Sequence, residues 1–253
     1  MTITYVTITY NAAKVLQRTL DSVLQQDYPD IVHLIIDGAS TDGTLQLVDD
    51  YVQRSNAADN GHRIQVISEP DHGIYDAMNK GLRSLDGDYV CFLNAGDFLP
   101  TPDIASNIAA QLDATSDVMP AVLYGDTDIV DGEGRFLYHR RLSPPENLTW
   151  KFFRQGMLVC HQAFYARTDF AIATPYDQRY HYSADVDWCI RIMKAAAKEN
   201  VPLHNLHMVV ANYTEEGQTT LHHRESLIER FKVMGRHYGW LTTIAMHVWF
   251  VFR

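Results

Sequence analysis

Neither G-x-G-x-x-G nor G-x-x-x-x-G-K-[ST] occurs in the 253 residues. The ordinary dinucleotide and P-loop readings therefore lose their main support, and a nucleotide would have to be held by strand-end side chains and backbone. Cysteine is scarce. Cys91, Cys160 and Cys189 are odd in number, far apart and set among apolar neighbours. They read as buried free thiols, without disulfide or zinc spacing. Basic residues are outnumbered, 21 Lys and Arg against 31 Asp and Glu, for a formal net charge of -10. Such a balance makes a poor partner for nucleic acid. No apolar run is long enough to span a bilayer. We expect no secretory signal, since "MTITYVTITYN" carries neither a basic leader nor a small-residue cleavage site. What remains is ordinary globular composition, 46% hydrophobic and 11% aromatic, enough for one sizeable core.

The first hundred residues alternate regularly. "TITYVTITY", "IVHLIID", "RIQVISE" and "DYVCFLN" are β-branched and apolar, so they read as strands. Between them, "AAKVLQRTLDSVLQQ", "STDGTLQLVDDYVQRS" and "GIYDAMNKGLRSL" carry helical spacing. In the second helix Leu45, Leu47, Val48 and Val52 form the expected stripe, with Ser40 or Thr41 as cap. This order predicts an α/β fold on a mostly parallel, doubly wound sheet. Ligands of such sheets sit beyond the carboxyl ends of the strands. Those ends read Thr9-Tyr10-Asn11, Asp37-Gly38-Ala39-Ser40, Glu69-Pro70-Asp71 and Asn94-Ala95-Gly96-Asp97. Four polar ends on one edge suggest a site.

The second half is less regular. "AVLYGDTDIVD", "GRFLYHRRL", "GMLVCHQAFYAR" and "LHNLHMVVANY" are strand candidates, and "TEEGQTT" reads as a loop. "ADVDWCIRIMKAAAK" and "RESLIERFKVMGRHYG" read as helices. The apolar, aromatic tail "YGWLTTIAMHVWFVFR" is too short to span a membrane. It suits either an interfacial helix inserting Trp240, Trp249, Phe250 and Phe252 or a helix docked on protein.

Several residues admit two roles. Asp37 suits a base or ribose contact, and equally a turn ahead of Gly38. Asp71 stands in a turn before a polar helical stretch. Lys80 could meet phosphate, but i,i+4 pairing with Asp76 is the simpler reading. Asp97 could hold a divalent metal with phosphate oxygens completing the shell, or cap the following "TPDIASNIAAQL" helix. His161 and Gln162, within the expected strand, suit either a core pair or an acceptor contact. Asp185 and Asp187 suit a helix's first turn on stability grounds alone; Asp187 is placed to pair with Arg191, and Asp185, without such a partner, could take a proton from an incoming hydroxyl if it faces the strand ends.

"VTITYNAAKVLQRTLDSVLQQDYPDIVHLIIDGASTDGT" resembles the opening of the family 2 glycosyltransferases, which have the GT-A fold. "SEPDHGIYDAMNKGL" followed by "GDYVCFLNAGD" is similar to the subgroup that builds bacterial exopolysaccharides, including the colanic acid type. The resemblance implies a single GT-A domain over residues 1–239. Residues 1–100 would bind nucleotide, 101–239 would bind acceptor, and 240–253 would form the apolar tail. It implies that Thr9, Tyr10, Asn11, Asp37 and Asp71 cradle the nucleotide. Lys80, Asn94, Ala95 and Gly96 are expected to line the same site, His161 and Gln162 to meet the acceptor, and Asp97 to hold Mg2+ or Mn2+. Asp185 matches the base of an inverting mechanism. Asn94 and Gly96 stand where acidic residues are usual, and Ala184 where glutamate is commoner.

The expected activity is inverting transfer from a nucleotide-diphosphate sugar to a lipid-linked or saccharide acceptor, in the cytoplasm, where the tail could bring the protein to the inner face of the cell membrane. Two other classes stand beside it. One is a catalytically silent GT-A partner subunit of an assembly complex. The other is a sugar nucleotidyltransferase, disfavoured because "TYNAAKVL" lacks a glycine-rich loop.

Overall fold

A computed structural model describes residues 1–114, 118–215 and 223–252, without the side chains of His223, Phe250, Val251 and Phe252. Four strands, β1 (Ile3–Thr9), β2 (Ile31–Asp37), β3 (Arg63–Ser68) and β4 (Tyr89–Phe92), alternate with α1 (Leu16–Leu24), α2 (Thr44–Ala58) and α3 (Ile74–Arg83). Every residue of β1, β2 and β4 is buried, as expected of parallel strands covered on both faces. After α4 (Ile104–Ala114) come β5 (Val122–Val130), β6 (Phe136–His139), β7 (Phe164–Arg167), α5 (Thr168–Ala173), α6 (Ala184–Glu199) and β8 (Leu203–Thr214). Helices α7 (His223–Tyr238) and α8 (Trp240–Phe252) follow. The eight strands share one sheet in the order β3-β2-β1-β4-β7-β5-β6, with β8 on β5. The first four strands pair in parallel, while β7 is antiparallel to both β4 and β5. One continuous apolar core runs from β1 to α6 and Val233 on α7, so the two halves are packed as one body.

Register places the functional edge. Thr9 lies opposite Asp37, and Asp37 opposite Ser68, so three strands end level. Strand β8 reaches the same edge through two register shifts against β5, one containing His207 at φ +51. Beyond them Asn212 pairs with Phe98, just past β4.

Some local expectations change. Helix α2 starts at Thr44, and Asp42, rather than Ser40 or Thr41, accepts the Thr44 backbone N–H. Its buried face includes Tyr51 as well as Val48; the Tyr51 hydroxyl meets the equally buried His33 ring at 2.7 Å. "GMLVCHQAFYAR" forms a strand only over Phe164–Arg167, and His161–Ala163 is a 3-10 turn. The loop expected at 214–220 lies outside the described residues from 216 onward. Cys91 and Cys189 are buried, Cys160 is partly buried, and all three are free.

Gly125 sits inside the β5–β8 irregularity. A Cβ there would lie 2.6 Å from the Met208 carbonyl oxygen and 3.0 Å from Val210 Cγ1. Backbone cannot yield as a flexible side-chain end does. We expect Gly125→Ala to lose at least about 2 kcal/mol in urea denaturation, at the upper part of the usual overpacking range. An unchanged midpoint would contradict this packing.

Candidate active site at the strand ends

The β2 end is organised by Asp37, which is fully buried. Its Oδ1 accepts from the Thr9 hydroxyl at 2.9 Å and from the Ser40 hydroxyl at 2.5 Å. Its Oδ2 accepts from the Ser40 amide at 2.9 Å and the Ser68 hydroxyl at 2.7 Å. Burial pushes the carboxyl up, but the bonds from Ser40, Ser68 and Thr9 outweigh it and hold it below the usual range. The chain itself thus fills all four acceptor positions of Asp37, and the residue acts as a fastener of strand ends.

Around it the backbone turns sharply. Asn11 and Ala39 have φ of +48 and +59, in the left-handed region that non-glycine residues rarely adopt. The Asn11 amide donates to Ser40 Oγ at 2.8 Å, and Asn11 Oδ1 accepts the Thr41 amide at 2.9 Å. Tyr10 is left 67% exposed. A Cβ on Gly38 would stand 2.5 Å from Asp71 Oδ2 and 3.2 Å from Tyr10 Cδ2. Only glycine allows these two side chains to meet over the β2 end. Tyr10, Gly38 and Asp71 therefore form a notch with an aromatic face and a carboxylate, suited to a flat ring bearing N–H groups. Lys80 is turned away from Asp76. It pairs with Glu69 at 2.9 Å and donates to the Pro70 carbonyl at 2.6 Å, tying α3 to the β3 end.

A second group gathers beyond β4. Asn94 Nδ2 donates to His161 Nε2 at 3.1 Å, and His161 Nδ1 lies 3.5 Å from Asp185 Oδ2. This orientation assigns the ring proton to Nδ1, facing the carboxylate. The Tyr75 hydroxyl donates to Asp185 Oδ1 at 3.3 Å. Asp185 lies in the first turn of α6, where the helix macrodipole favours negative charge. Burial pushes its carboxyl up, yet the hydrogen bond from His161 and the charge of Arg230 hold it below the ordinary range. Asp187 is fully buried and binds Arg191 Nε at 2.6 Å, as the spacing predicts, and also His237 Nε2 at 2.7 Å. Asn94 Oδ1 is buried without a partner, an open acceptor beside the histidine.

Asp97 caps no helix. It is 5% exposed, with Oδ2 accepting from Gln162 Nε2 at 2.6 Å and Oδ1 from the Thr214 amide at 3.1 Å. Burial pushes its carboxyl up to about 6. Gly96 has φ +101, a backbone conformation that glycine adopts without steric cost. Its amide donates to Thr19 Oγ1 at 2.9 Å and its carbonyl accepts from Thr214 Oγ1 at 2.7 Å. Ala95 packs partly buried on the small cluster of Leu16, Leu20, Ile35, Val48 and Tyr51. Among the described residues, no three His, Cys, Asp or Glu side chains are grouped to hold a metal ion. Each Asp97 oxygen already accepts one bond from the chain, so a metal held there would need ligands from elsewhere, such as donor phosphate oxygens, to complete its shell.

The structure thus brings Tyr10 and Asp71 together, Asn94, His161 and Asp185 together, and Asp97 and Gln162 together. Lys80 belongs to none of the three. Tyr75, Ser40, Ser68, Thr19 and Thr214 serve the site without having been singled out for it. Of these, Ser40 lay in a marked strand end and Tyr75 in a stretch dense in polar groups.

The sheet, its level strand ends and its helices have the GT-A fold of sugar transferases. S. aureus TarS solved with UDP matches with a TM-score of 0.69 at 18% identity, covering 94% of this chain and 65% of that one. The mannosyltransferase PcManGT of Pyrobaculum calidifontis, solved with GDP-Man and Mn2+, gives 0.63 at 19% identity, covering 96% and 73%. This chain belongs to glycosyl transferase family 2, whose description matches residues 4–172, and it is a transferase. The PGL/p-HBAD biosynthesis glycosyltransferase of Mycobacterium bovis (strain BCG / Pasteur 1173P2) is 34% identical over 211 residues, covering 83% of this chain and 75% of the relative. The amylovoran biosynthesis glycosyltransferase AmsB of Erwinia amylovora is 29% identical over 209 residues, covering 79% and 67%.

The Asp97 environment makes a pH prediction. Its folded-state pKa is raised from an ordinary 3.8 to about 6. Across that window the folded state binds more protons than the unfolded, so this group's contribution to stability falls as pH rises. The fall is at most about 3 kcal/mol. Asp97→Asn removes the titration. Urea denaturation near pH 4 and near pH 7 should show the variant gaining on the wild type as pH rises. A constant difference between the two proteins would contradict a desolvated carboxyl at this position.

Proposed function

We propose that this chain transfers a sugar from a nucleotide-diphosphate donor to a lipid-linked or saccharide hydroxyl with inversion, in the synthesis of cell-surface polysaccharide or glycolipid. The observation that carries the reading is the Asn94–His161–Asp185 arrangement beside the notch of Tyr10, Gly38 and Asp71. One group offers a nucleotide a stacking face and a carboxylate. The other offers an ionised carboxylate, itself oriented by an imidazole and a phenol. The nucleotides in the related solved structures, UDP in one and GDP-Man in another, support the donor class. The names of the mycobacterial and Erwinia relatives support the acceptor class.

In this mechanism Asp185 takes the proton of the acceptor hydroxyl as its oxygen attacks the anomeric carbon. The bond from that carbon to the diphosphate oxygen breaks on the opposite face, and the electron pair leaves with the nucleotide. Because Asp185 is held below the ordinary carboxylate range, it is in its basic form at neutral pH. The imidazole contact at 3.5 Å and the phenol bond at 3.3 Å face its two oxygens. The intact base arrangement argues against a silent partner subunit, which would have no use for it.

The acceptor reading gains support from α8. Trp240, Leu241, Ile244, Val248 and Trp249 are all exposed, Leu241 at 88%. Among the described residues no helix is long and apolar enough to cross a membrane. A helix of this kind suits the headgroup boundary on the cytoplasmic face, where it would bring the site to lipid-linked acceptors.

The test is Asp185→Asn, assayed as nucleoside diphosphate release from UDP-, GDP- and dTDP-sugars with a membrane-lipid extract as acceptor. We expect turnover to fall by roughly 10²- to 10⁴-fold, the usual worth of a general base, with folding unchanged. Full activity in the variant would remove Asp185 from the chemistry.

A further inference from the structure

Helix α7 lies outside the nucleotide half, yet it grips the segment that leads into Asp185. Glu229, on α7, accepts three successive backbone N–H groups: His181 at 2.9 Å on Oε1, then Tyr182 at 2.7 Å and Ser183 at 3.2 Å on Oε2. The Ser183 hydroxyl donates to the Ser226 carbonyl, one turn earlier on α7, at 3.2 Å. Ser183 is the N-cap of α6, and its own side chain makes no capping bond. Of the three amides only that of Ser183 belongs to the helix start, where N–H groups need acceptors; those of His181 and Tyr182 lie in the segment entering it, and the Glu229 carboxylate holds all three with charge-assisted bonds.

The far end of α7 fixes the same helix a second time. His237 Nε2 binds Asp187 Oδ1 at 2.7 Å, two residues beyond Asp185. Lys194 Nζ meets His237 Nδ1 at 3.0 Å. The first turn of α6 is therefore held from both sides by α7, and Asp185 projects from between the two points of attachment. Its contact with His161, at 3.5 Å, is too long to set the carboxylate's position unaided. A small rotation of residues 181–185 would carry it out of reach of both His161 and Tyr75.

We propose that Glu229 is a positioning residue for Asp185, fixing the entry to α6 so that the carboxylate faces His161 and the acceptor. The proposal rests on the reading of Asp185 as the base. Glu229 touches no reacting atom in this account. Its effect should therefore appear in turnover and leave donor binding alone, because the nucleotide notch lies on the other side of the sheet edge, at β1, β2 and the turn after β3.

The experiment compares wild type, Glu229→Gln, Glu229→Ala and Asp185→Asn, using nucleoside diphosphate release from the donor sugar that supports turnover. Amide hydrogen exchange gives a readout that needs no substrate. We expect Glu229→Ala to lower kcat about 10- to 100-fold, the cost of a misplaced reacting group, with donor KM within about twofold. Glu229→Gln keeps one carbonyl oxygen but sets an NH2 group against a backbone N–H, so it should fall between. Exchange should rise at residues 181–185 and stay unchanged in β1 to β4. Full kcat in Glu229→Ala, with Asp185→Asn inactive, would overturn the positioning role while leaving the base reading intact. An active Asp185→Asn would remove the base reading and the proposal with it. A loss of donor binding, or faster exchange throughout the sheet in both Glu229 variants, would make Glu229 a general fold residue and overturn the proposal as well.

Discussion

The Asp37 carboxylate is the constraint on which the site depends. It is fully buried, and its four acceptor positions are taken by Thr9 from β1, Ser68 from β3 and both the amide and hydroxyl of Ser40 from its own loop. An ionised group in that position is tolerable only with every bond made. The chain has therefore to bring three strand ends level and turn the β2 loop through a left-handed residue, Ala39. The same turn aligns Ser40 and Thr41 with Asn11. The notch of Tyr10, Gly38 and Asp71 lies over this fastening, with Asp71 Oδ1 accepting the Gly73 amide and Oδ2 turned to Gly38.

The second half solves a different problem, bringing the Asp185 carboxylate from a distant part of the chain to that edge. It does so with short polar contacts. The 3-10 turn at His161–Ala163 sends His161 to Asn94 and Asp185, and sends Gln162 to Asp97. The irregular pairing of β8 delivers the Thr214 amide to the other Asp97 oxygen. Asp97 thereby joins β4, the 3-10 turn and β8 at one buried point. A carboxyl used in this way is a structural centre, and its raised pKa reflects burial with few compensating charges.

Much of this was legible in the sequence. Strands β1 to β4, their helices and the four polar ends follow from β-branched, apolar runs alternating with helical spacing, although only β1, β2 and β4 are buried throughout and β3 lies at the sheet edge. Asp185 and the Asp187–Arg191 pair also follow, from the first turn of a strongly patterned helix. The illegible parts are those set by pairing between distant segments. Lys80 takes Glu69 in place of Asp76, because the loop after β3 folds back over α3. His161 and Gln162 leave the expected strand because each answers a partner far away in sequence, Asn94 and Asp97 respectively. Glycine at 96 looks like a lost acidic residue in sequence, and in the structure it is a backbone requirement at φ +101. Glu229 carries no local signal, since its partners are backbone amides some 46 to 48 positions away.

The central claim is that a nucleotide sits on the notch at the β2 end. Titration calorimetry of UDP, GDP and dTDP against wild type and Gly38→Ala tests it directly. The added Cβ would stand 2.5 Å from the Asp71 carboxylate, a side-chain end that can swing aside with little cost to the fold. The account predicts that wild type binds one of the three and that the variant, with an unchanged melting temperature, binds it at least about tenfold more weakly, or about 1.4 kcal/mol. Equal affinity in the two proteins would place the nucleotide elsewhere.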